Sequence, residues 1–231
     1  MAETHLVRTL PNGPNGAAWL ARVLDVLFPP RCASCKRLGT LFCGACQAQL
    51  VRYPGTMRRL PPALDSVEIG YVFSGPLRAA VHQLKYAGAR RLAQPLGVLL
   101  AATVAAQFQA RPVDALVPIP LHPQRLAERG YNQAAELAKV IAQSLGVPVA
   151  DDLVRTRATT QQASLNARER AANVTGAFQW VRGTAPMRVA LIDDVLTTGA
   201  TMNACAEALR TGGAQHVRGL ALARSRPDLD S

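Results

Sequence analysis

The chain has 231 residues, of which 49% are apolar, and a formal net charge of +11. This length accommodates one ordinary domain with a small additional module, and no apolar run reaches the roughly 18 residues that a membrane span requires. Because 23 of the 26 basic residues are Arg, which suits bidentate phosphate contacts, the charge favours anionic partners, either phosphorylated small molecules or nucleic acid.

The N-terminal residues 1–16 end in Pro- and Gly-rich sequence, which indicates a flexible tail. They lack the apolar core of a signal peptide, so we expect a cytoplasmic protein. Residues 17–28 place their apolar side chains on one face of a predicted helix. That face packs against the protein's own core or docks on a partner, and the first interpretation is favoured.

Two cysteine pairs follow, Cys32-x-x-Cys35 and Cys43-x-x-Cys46. Together they supply four thiolates, the ligand set of a tetrahedral structural Zn²⁺ site with no open position for catalysis. Disulfides are the alternative, but they are disfavoured in the cytoplasm. The seven residues between the pairs are fewer than in the usual zinc ribbon. We therefore predict a zinc ribbon-like module that, with the preceding helix, covers residues 17–60.

The remaining residues, 61–231, are predicted to alternate strands and helices in a second domain. Val67–Phe73 has the alternation of a strand, and Ser74-Gly75-Pro76 is a typical helix start. That helix carries Lys85, which either contacts a phosphate or is a solvated surface charge.

Asp114–Pro120 is the next predicted buried strand, and a loop containing Arg125 and Arg129 follows it. A helix begins after Gly130. Because ligands bind at the carboxyl ends of strands in open α/β sheets, we interpret this loop as an anion site. An ordinary surface loop with Arg side chains is the alternative.

Residues 155–178 form a long polar segment that includes Arg155, Arg157, Arg168 and Arg170. A connection of this kind in a compact domain is usually a functional lid or a disordered segment. As a lid, its Arg side chains would close over phosphates and exclude water.

The most informative stretch is Val189–Thr201. Four apolar residues predict a buried strand, Asp193 and Asp194 follow it, and a turn leads into a helix that ends at Gly212. The turn consists of Thr197, Thr198, Gly199, Ala200 and Thr201. Val217–Ala223 is predicted to be a further strand.

A turn of Gly and small hydroxyl residues lets backbone N–H groups converge on an anion at a helix N-terminus, so this turn is predicted to bind a phosphate. Ionised carboxylates only accept hydrogen bonds, and the neighbouring hydroxyls of a ribose suit Asp193 and Asp194. A phosphate site next to a site for neighbouring hydroxyls matches the groups of ribose 5-phosphate. In the alternative interpretation, Asp194 or Thr198 merely caps the helix.

The same thirteen residues resemble the phosphoribosyl pyrophosphate (PRPP) motif of type I phosphoribosyltransferases. The chain as a whole resembles the ComF family of competence-associated proteins. The matching pieces are the two cysteine pairs, Leu84-Lys85-Tyr86, Val117–Pro123, Arg129–Gln133, Gln162–Arg170 and Asp193–Thr201.

The resemblance implies an α/β fold of the type I phosphoribosyltransferase kind, with a central, mostly parallel sheet flanked by helices. It assigns Asp193 and Asp194 to the ribose of PRPP, Thr197–Thr201 to its 5-phosphate, and Pro118–Asn132 to its pyrophosphate. Gln162, Arg168 and Arg170 would belong to a flexible loop. Mg²⁺ would accompany PRPP, and Arg125 and Arg129 would neutralise the leaving pyrophosphate.

Two functions are compatible with this sequence. The first is a phosphoribosyltransferase acting on an acceptor that no run of residues identifies. The second is a non-catalytic component of DNA uptake that holds single-stranded DNA and senses PRPP, together with competence proteins. An aromatic content of 5% offers few stacking platforms for single strands, which weakens the second function. The sequence is compatible with a homodimer.

Overall fold

The computed structural model describes residues 29–55, 57, 60–156, 174 and 176–225. The predicted tail and first helix (1–28) lie outside these residues. So do Arg157 and the predicted loop residues Gln162, Arg168 and Arg170.

The strands are β1 Ser66–Val72, β2 Ala115–Pro118, β3 Leu153–Arg155, β4 Phe178–Trp180, β5 Arg188–Leu196 and β6 His216–Arg224. The helices are α1 Gly44–Gln47, α2 Gly75–Tyr86, α3 Ala93–Ala110, α4 Pro123–Arg129, α5 Gln133–Leu145 and α6 Ala200–Thr211, and a short 3₁₀ helix spans Arg90–Leu92. Four strands form a parallel sheet in the order β1-β6-β5-β2, and β3 and β4 form an antiparallel pair. The α/β class with a parallel sheet is confirmed.

The sheet is buried on both faces, which explains the uninterrupted apolar run at the start of β5. Residues 189–192 are all fully buried. Ala190 and Ile192 face a core shared with α2, α3 and α5, whereas Val189 and Leu191 face a second core shared with α6 and the β3–β4 pair. Alternate residues of β5 therefore reach opposite sides of the sheet.

Helix α3 crosses α5 closely. Gly97 lies at the contact, and a Cβ atom there would come within 2.6 Å of Val140 Cβ. By length and composition, the segment Arg90–Ala110 is the one helix of the described residues that could cross a membrane. Its side chains Leu96, Leu100 and Val104 are buried in the core next to the sheet, as expected for a core helix.

The structure differs from the sequence-based prediction at the acidic pair. Asp193 and Asp194 lie inside β5 instead of after it, because the ladder with β6 continues from Asp193, opposite Ala221, to Leu196, opposite Arg224. The carboxylates are consequently held by a rigid strand.

A second difference concerns the predicted loop after β2. Residues 123–129 form the short helix α4, with Pro123 in its first turn. The imidazole Nδ1 of His122 accepts a hydrogen bond from Gln124 N at 3.3 Å. Gly130 ends the helix in the left-handed conformation (φ 78°). The cap and the Pro together explain the helix, since Pro is favoured at the first helical position.

The cysteine module packs directly on α2. Cys32, Phe42 and Cys46 are buried in the same core as Leu77 and Leu84. Gln83 Nε2 also donates a hydrogen bond to Ala33 O at 2.6 Å. The inner face of α2 therefore supports this module. The boundary at residue 60 stays a prediction.

Candidate functional site

A cleft of about 440 Å³ lies at the carboxyl ends of the four parallel strands. Each strand contributes the residues that follow or end it: Phe73 after β1, Ser225 after β6, Asp193 to Leu196 of β5, and Ile119 to Leu121 after β2. Helix α2 forms another wall. This is the edge at which ligands bind in open α/β sheets.

Asp194 is almost completely buried, with 2% of its side chain exposed, and its Oδ1 lies 3.0 Å from Lys85 Nζ. The same Oδ1 accepts a hydrogen bond from Val195 N at 2.7 Å. Its Oδ2 has no hydrogen-bond partner among the described residues. A buried carboxylate oxygen normally has a partner, so this atom fits a cation or a ligand hydroxyl.

Asp193 projects toward the opposite side of the strand. Its Oδ1 accepts a hydrogen bond from Asp194 N at 2.9 Å. Burial, reinforced by the neighbouring Asp194 charge, raises the pKa of Asp193 to about 8, although Lys85 acts in the opposite direction. Burial and the Asp193 charge also raise the pKa of the Cys205 thiol on α6, so Asp193 faces that helix.

The turn between β5 and α6 adopts the geometry of an anion site. Gly199 has φ 84°, and a Cβ atom there would come within 2.9 Å of Pro61 Cγ, so both conformation and space favour Gly. The first N–H groups of a helix have no partner within it. Among the described residues, Ala200 N is the one N–H group of this first turn with a side-chain acceptor, Thr198 Oγ1 at 3.4 Å. Thr197 and Thr201 line the cleft.

The two predicted arginines occupy different places. Arg125 lines the cleft and also an adjoining cavity of about 340 Å³, whereas Arg129 lines only the adjoining cavity. The Arg129 guanidinium donates a hydrogen bond to Gln133 Oε1 and lies 5.4 Å from the centre of the Tyr86 ring. Lys85 and Tyr86 line both cavities, so the two share the wall formed by the end of α2.

Sequence reasoning missed Arg78 and His82 as cleft residues, and it placed Arg155 in a lid. All three line the cleft. Arg78, His82 and Lys85 are spaced i, i+4 and i+7, so they share one face of α2, and this spacing could have revealed them. The cleft contains the cations Arg78, Lys85, Arg125 and Arg155 against two carboxylates, which gives it a positive balance.

The four cysteine Sγ atoms of the N-terminal module lie within 4.8 Å of one another. The Cys32–Cys46 distance is 3.7 Å, and the Cys35–Cys43 distance is 3.5 Å. A tetrahedron of thiolates about 2.3 Å from Zn²⁺ has edges of about 3.8 Å, so the arrangement fits such a metal site.

Backbone groups around this cluster favour the thiolate form of one cysteine. Burial alone would raise the pKa of Cys32, but backbone N–H groups of Cys43, Ser34 and Cys35 hold it at about 6. Cys43 N lies 3.5 Å from Cys32 Sγ. Backbone donors to a sulfur ligand are the usual support of a metal–thiolate centre.

Comparison with known proteins gives a family match. A family model, the phosphoribosyl transferase domain, matches residues 131–228. Competence protein F of Haemophilus influenzae is 31% identical over 206 residues, which cover 84% of this chain and 90% of that protein. DNA utilization protein YhgH of Escherichia coli is 30% identical over 205 residues, covering 87% and 86% of the two chains.

Two solved structures are similar to the chain at low TM-scores. Purine phosphoribosyltransferase from Pyrococcus horikoshii has a TM-score of 0.36 at 14% identity, over 56% of this chain and 72% of that one. TT1426 from Thermus thermophilus has a TM-score of 0.35 at 17% identity, over 62% and 86%. The family assignment therefore depends on the sequence relatives.

Proposed function

The chain belongs to the ComF/YhgH competence family, which carries a phosphoribosyltransferase domain, and on this premise we propose that its cleft binds PRPP with Mg²⁺. The observation that carries the proposal is the combination of the acidic pair in β5 with the open turn at the start of α6. The first can accept hydrogen bonds from a ribose, and the second can receive its 5-phosphate.

The 5-phosphate would bind at the turn 197–201. The N–H groups of the first turn of α6 have no partner within the helix, so they are donors, as are the Thr197 and Thr201 hydroxyls, and the helix dipole favours an anion there. The ribose hydroxyls would lie next to Asp193 and Asp194, whose positions are fixed by the ladder with β6. The turn follows β5 directly in the chain. The 5-phosphate and the two hydroxyls of one ribose can therefore reach the turn and the acidic pair at the same time.

The pyrophosphate would lie toward β2, where Arg125 lines the cleft and Arg129 lines the adjoining cavity. Two guanidinium groups can form bidentate contacts with its oxygens. The contacts of Arg129 with Tyr86 and Gln133 restrict its rotamers, which reduces the entropy cost of binding.

The acidic pair also fits Mg²⁺, a cation that binds through one or two carboxylates and the phosphate oxygens of a substrate. The unpartnered Oδ2 of Asp194 is the oxygen available for this role. When bound, Mg²⁺ would neutralise negative charge on PRPP.

For the cysteine module we propose structural Zn²⁺, held by Cys32, Cys35, Cys43 and Cys46.

In the proposed reaction, an acceptor nucleophile donates an electron pair to C1 of the ribose. The bond from C1 to the pyrophosphate oxygen breaks, and pyrophosphate leaves with that electron pair. Negative charge grows on the leaving group, and Arg125 and Arg129 stabilise it. No nucleophile from the protein is needed, so catalysis consists of positioning and charge stabilisation.

Cysteines that bind a metal as thiolates must stay reduced, and disulfides are disfavoured in a reducing compartment, so we propose a cytoplasmic location. Membership of the competence family and the net charge of +11 favour one further role, which is binding of single-stranded DNA together with competence proteins. A steep decrease of oligonucleotide affinity with salt would support that role.

Calorimetric titration of PRPP with Mg²⁺ tests the proposal. In buffer above pH 8, where most of Asp193 is ionised, wild-type protein should bind PRPP, and Asp193→Asn combined with Asp194→Asn should weaken binding by about 100-fold or more, because two charge-assisted contacts are lost. The matched control is Asp151→Asn with Asp152→Asn, a second adjacent pair that lies outside the cleft lining. Equal affinity of the two double variants would contradict the proposal.

A further inference from the structure

A second cavity, of about 320 Å³, lies at the amino ends of the same four strands, at the opposite edge of the sheet from the cleft. Every strand contributes to its lining: Ser66 from β1, Val113 just before β2, Arg188 and Val189 from β5, and His216 and Arg218 from β6. Among the described residues, the two cavities share no lining residue. Along β5 they are about four residues apart, roughly 13 Å in a strand.

The polar side chains of this edge lie on one face of the sheet. Arg218 of β6 is opposite Ser66 of β1 and Ala190 of β5 in the two ladders. Arg188 precedes Ala190 by two residues, so it shares the face that Ala190 turns toward the core formed with α3. Helix α3 ends at this edge, and Arg111, the residue that follows it, lines the same cavity.

The carboxylates next to this cavity are already paired. Asp65, the one carboxylate among its lining residues, accepts hydrogen bonds from Arg210 Nη2 at 2.8 Å and from Val217 N at 2.7 Å. Asp114 lies 2.6 Å from Arg188 Nη2. Each of these pairs is balanced in charge, so neither carboxylate neutralises a further arginine.

Arg111 and Arg218 are the cations in excess. Within the part of the chain that the structure describes, neither guanidinium forms an ion pair or a hydrogen bond. Glu68 is the next carboxylate on this face of β1, but it does not line the cavity, and its Oε1 accepts a hydrogen bond from Ser66 Oγ at 2.8 Å. The negative end of the α3 dipole also adjoins the cavity, but it amounts to only about half a charge against two guanidinium groups.

We infer that this cavity is a second ligand site, separate from the cleft, and that it binds a small molecule through a phosphate monoester. Two guanidinium groups can hold a phosphate by bidentate hydrogen bonds. The apolar side chains of Pro112, Val113 and Val189 form a wall for the rest of the ligand. The volume is near the lower end for small-molecule pockets, which suits a monomer such as a nucleoside monophosphate. No residue proposed to bind PRPP lines this cavity, so the site is independent of the proposed function.

The test uses uridine 5′-monophosphate as the probe and uridine, which lacks the phosphate, as its matched control. Methyl NMR signals of the full chain loaded with Zn²⁺ locate the ligand, because Val113 and Val189 line this cavity whereas Val81 and Val195 line the cleft. The monophosphate should shift the two cavity signals to saturation, and uridine should bind there at least about tenfold more weakly. Shifts of the two cleft signals alone would overturn the inference.

The double variant Arg111→Met with Arg218→Met removes the excess charge and keeps the apolar stems of both side chains. The affinity read from the two cavity signals should fall at least about tenfold. Arg111→Met alone, at an exposed position, should cost about threefold or more, and it serves if the double variant does not fold. Arg37→Met with Arg182→Met is the control for net charge, because both residues are exposed and outside this lining. It should stay within about twofold of the wild type, since salt screens distant exposed charges.

Three further results would overturn the inference. The first is equal affinity of the two double variants. The second is equal binding of uridine and its monophosphate, which would show that the phosphate is not recognised. The third is a single-stranded oligonucleotide that shifts the cavity signals when no mononucleotide does, which would assign the excess charge to nucleic acid. PRPP binding in the cleft is measured separately by calorimetry, so failure of either site is distinguishable from failure of the other.

Discussion

The turn between β5 and α6 and the four-cysteine module differ in how they contribute to the cleft. In the proposed function the turn contacts the ligand directly, and its donors are backbone groups whose geometry is set by Gly199. The module lies behind α2, and its side chains converge on one point from two short knuckles. The turn can be formed by the fold alone, whereas we expect a module of this size to depend on the proposed Zn²⁺ for its stability.

The difference indicates where each region is vulnerable. Changes in the turn should reduce binding while the domain stays folded. Changes in the module should unfold it and remove the contacts that it makes with α2. The other face of α2 carries Arg78, His82 and Lys85. Loss of the metal would then weaken ligand binding in the cleft, although the metal does not contact the cleft.

The largest effect is expected for Cys32→Ser. Structural zinc contributes about 10–16 kcal/mol of apparent binding free energy in zinc-finger peptides, which is comparable to the whole stability of a domain. The variant should lose its metal, measured by elemental analysis, and melt at least about 10 °C lower in a thermal scan. Arg37→Ala, an exposed change in the same knuckle, is the control. An unchanged Tm without metal would show that the module is not metal-dependent.

Gly199→Ala tests the other region. Its φ of 84° disfavours any side chain, and the new Cβ atom would collide with Pro61. We expect a loss of about 1–3 kcal/mol in the free energy of unfolding and at least tenfold weaker PRPP binding, measured by denaturation and calorimetry. Gly212→Ala, at the other end of α6, lacks the positive φ but would also crowd a neighbour, since its Cβ atom would lie 3.0 Å from Trp180 Cβ, so it controls for crowding at the helix without the change in the turn. Binding weakened equally by both changes would argue against a special role of the turn.

The pH dependence distinguishes the acid pair from the turn. Because burial raises the pKa of Asp193 from 3.8 to about 8, its contribution to the free energy of unfolding is greatest below pH 4 and is lost as the pH rises through 8. Acceptance of ribose hydroxyls needs the carboxylate, so PRPP affinity should rise between pH 7 and 8, by up to about tenfold. Asp193→Asn should show a flat profile over this range. A wild-type profile that is also flat would contradict the role of Asp193.

The smallest effect is expected for Gln83→Ala, which removes the hydrogen bond from α2 to Ala33 O. The loss should be about 1 kcal/mol of stability, read from chemical denaturation. Metal content should be unchanged, and PRPP affinity should fall less than threefold if the apolar contacts keep α2 in place. A larger fall in affinity would show that this single contact transmits the support of the module.

The sequence predicted the turn, the acid pair and the cysteine cluster because each is a local pattern with a fixed spacing. It placed the acid pair after the strand because apolar periodicity ends at Ile192, whereas the backbone ladder with β6 continues to Leu196. It also treated Lys85 as a phosphate ligand or a surface charge. In the structure Lys85 is paired with Asp194, a contact between residues 109 positions apart that no local pattern encodes.

A crystal structure of the zinc-loaded chain with PRPP and Mg²⁺ tests the central claim most directly. The 5-phosphate should lie within hydrogen-bond distance of the N–H groups of Thr201 and Met202, with the ribose hydroxyls beside Asp193 and Asp194. PRPP bound elsewhere, or a phosphate at the β2 end with no sugar at the acid pair, would contradict it.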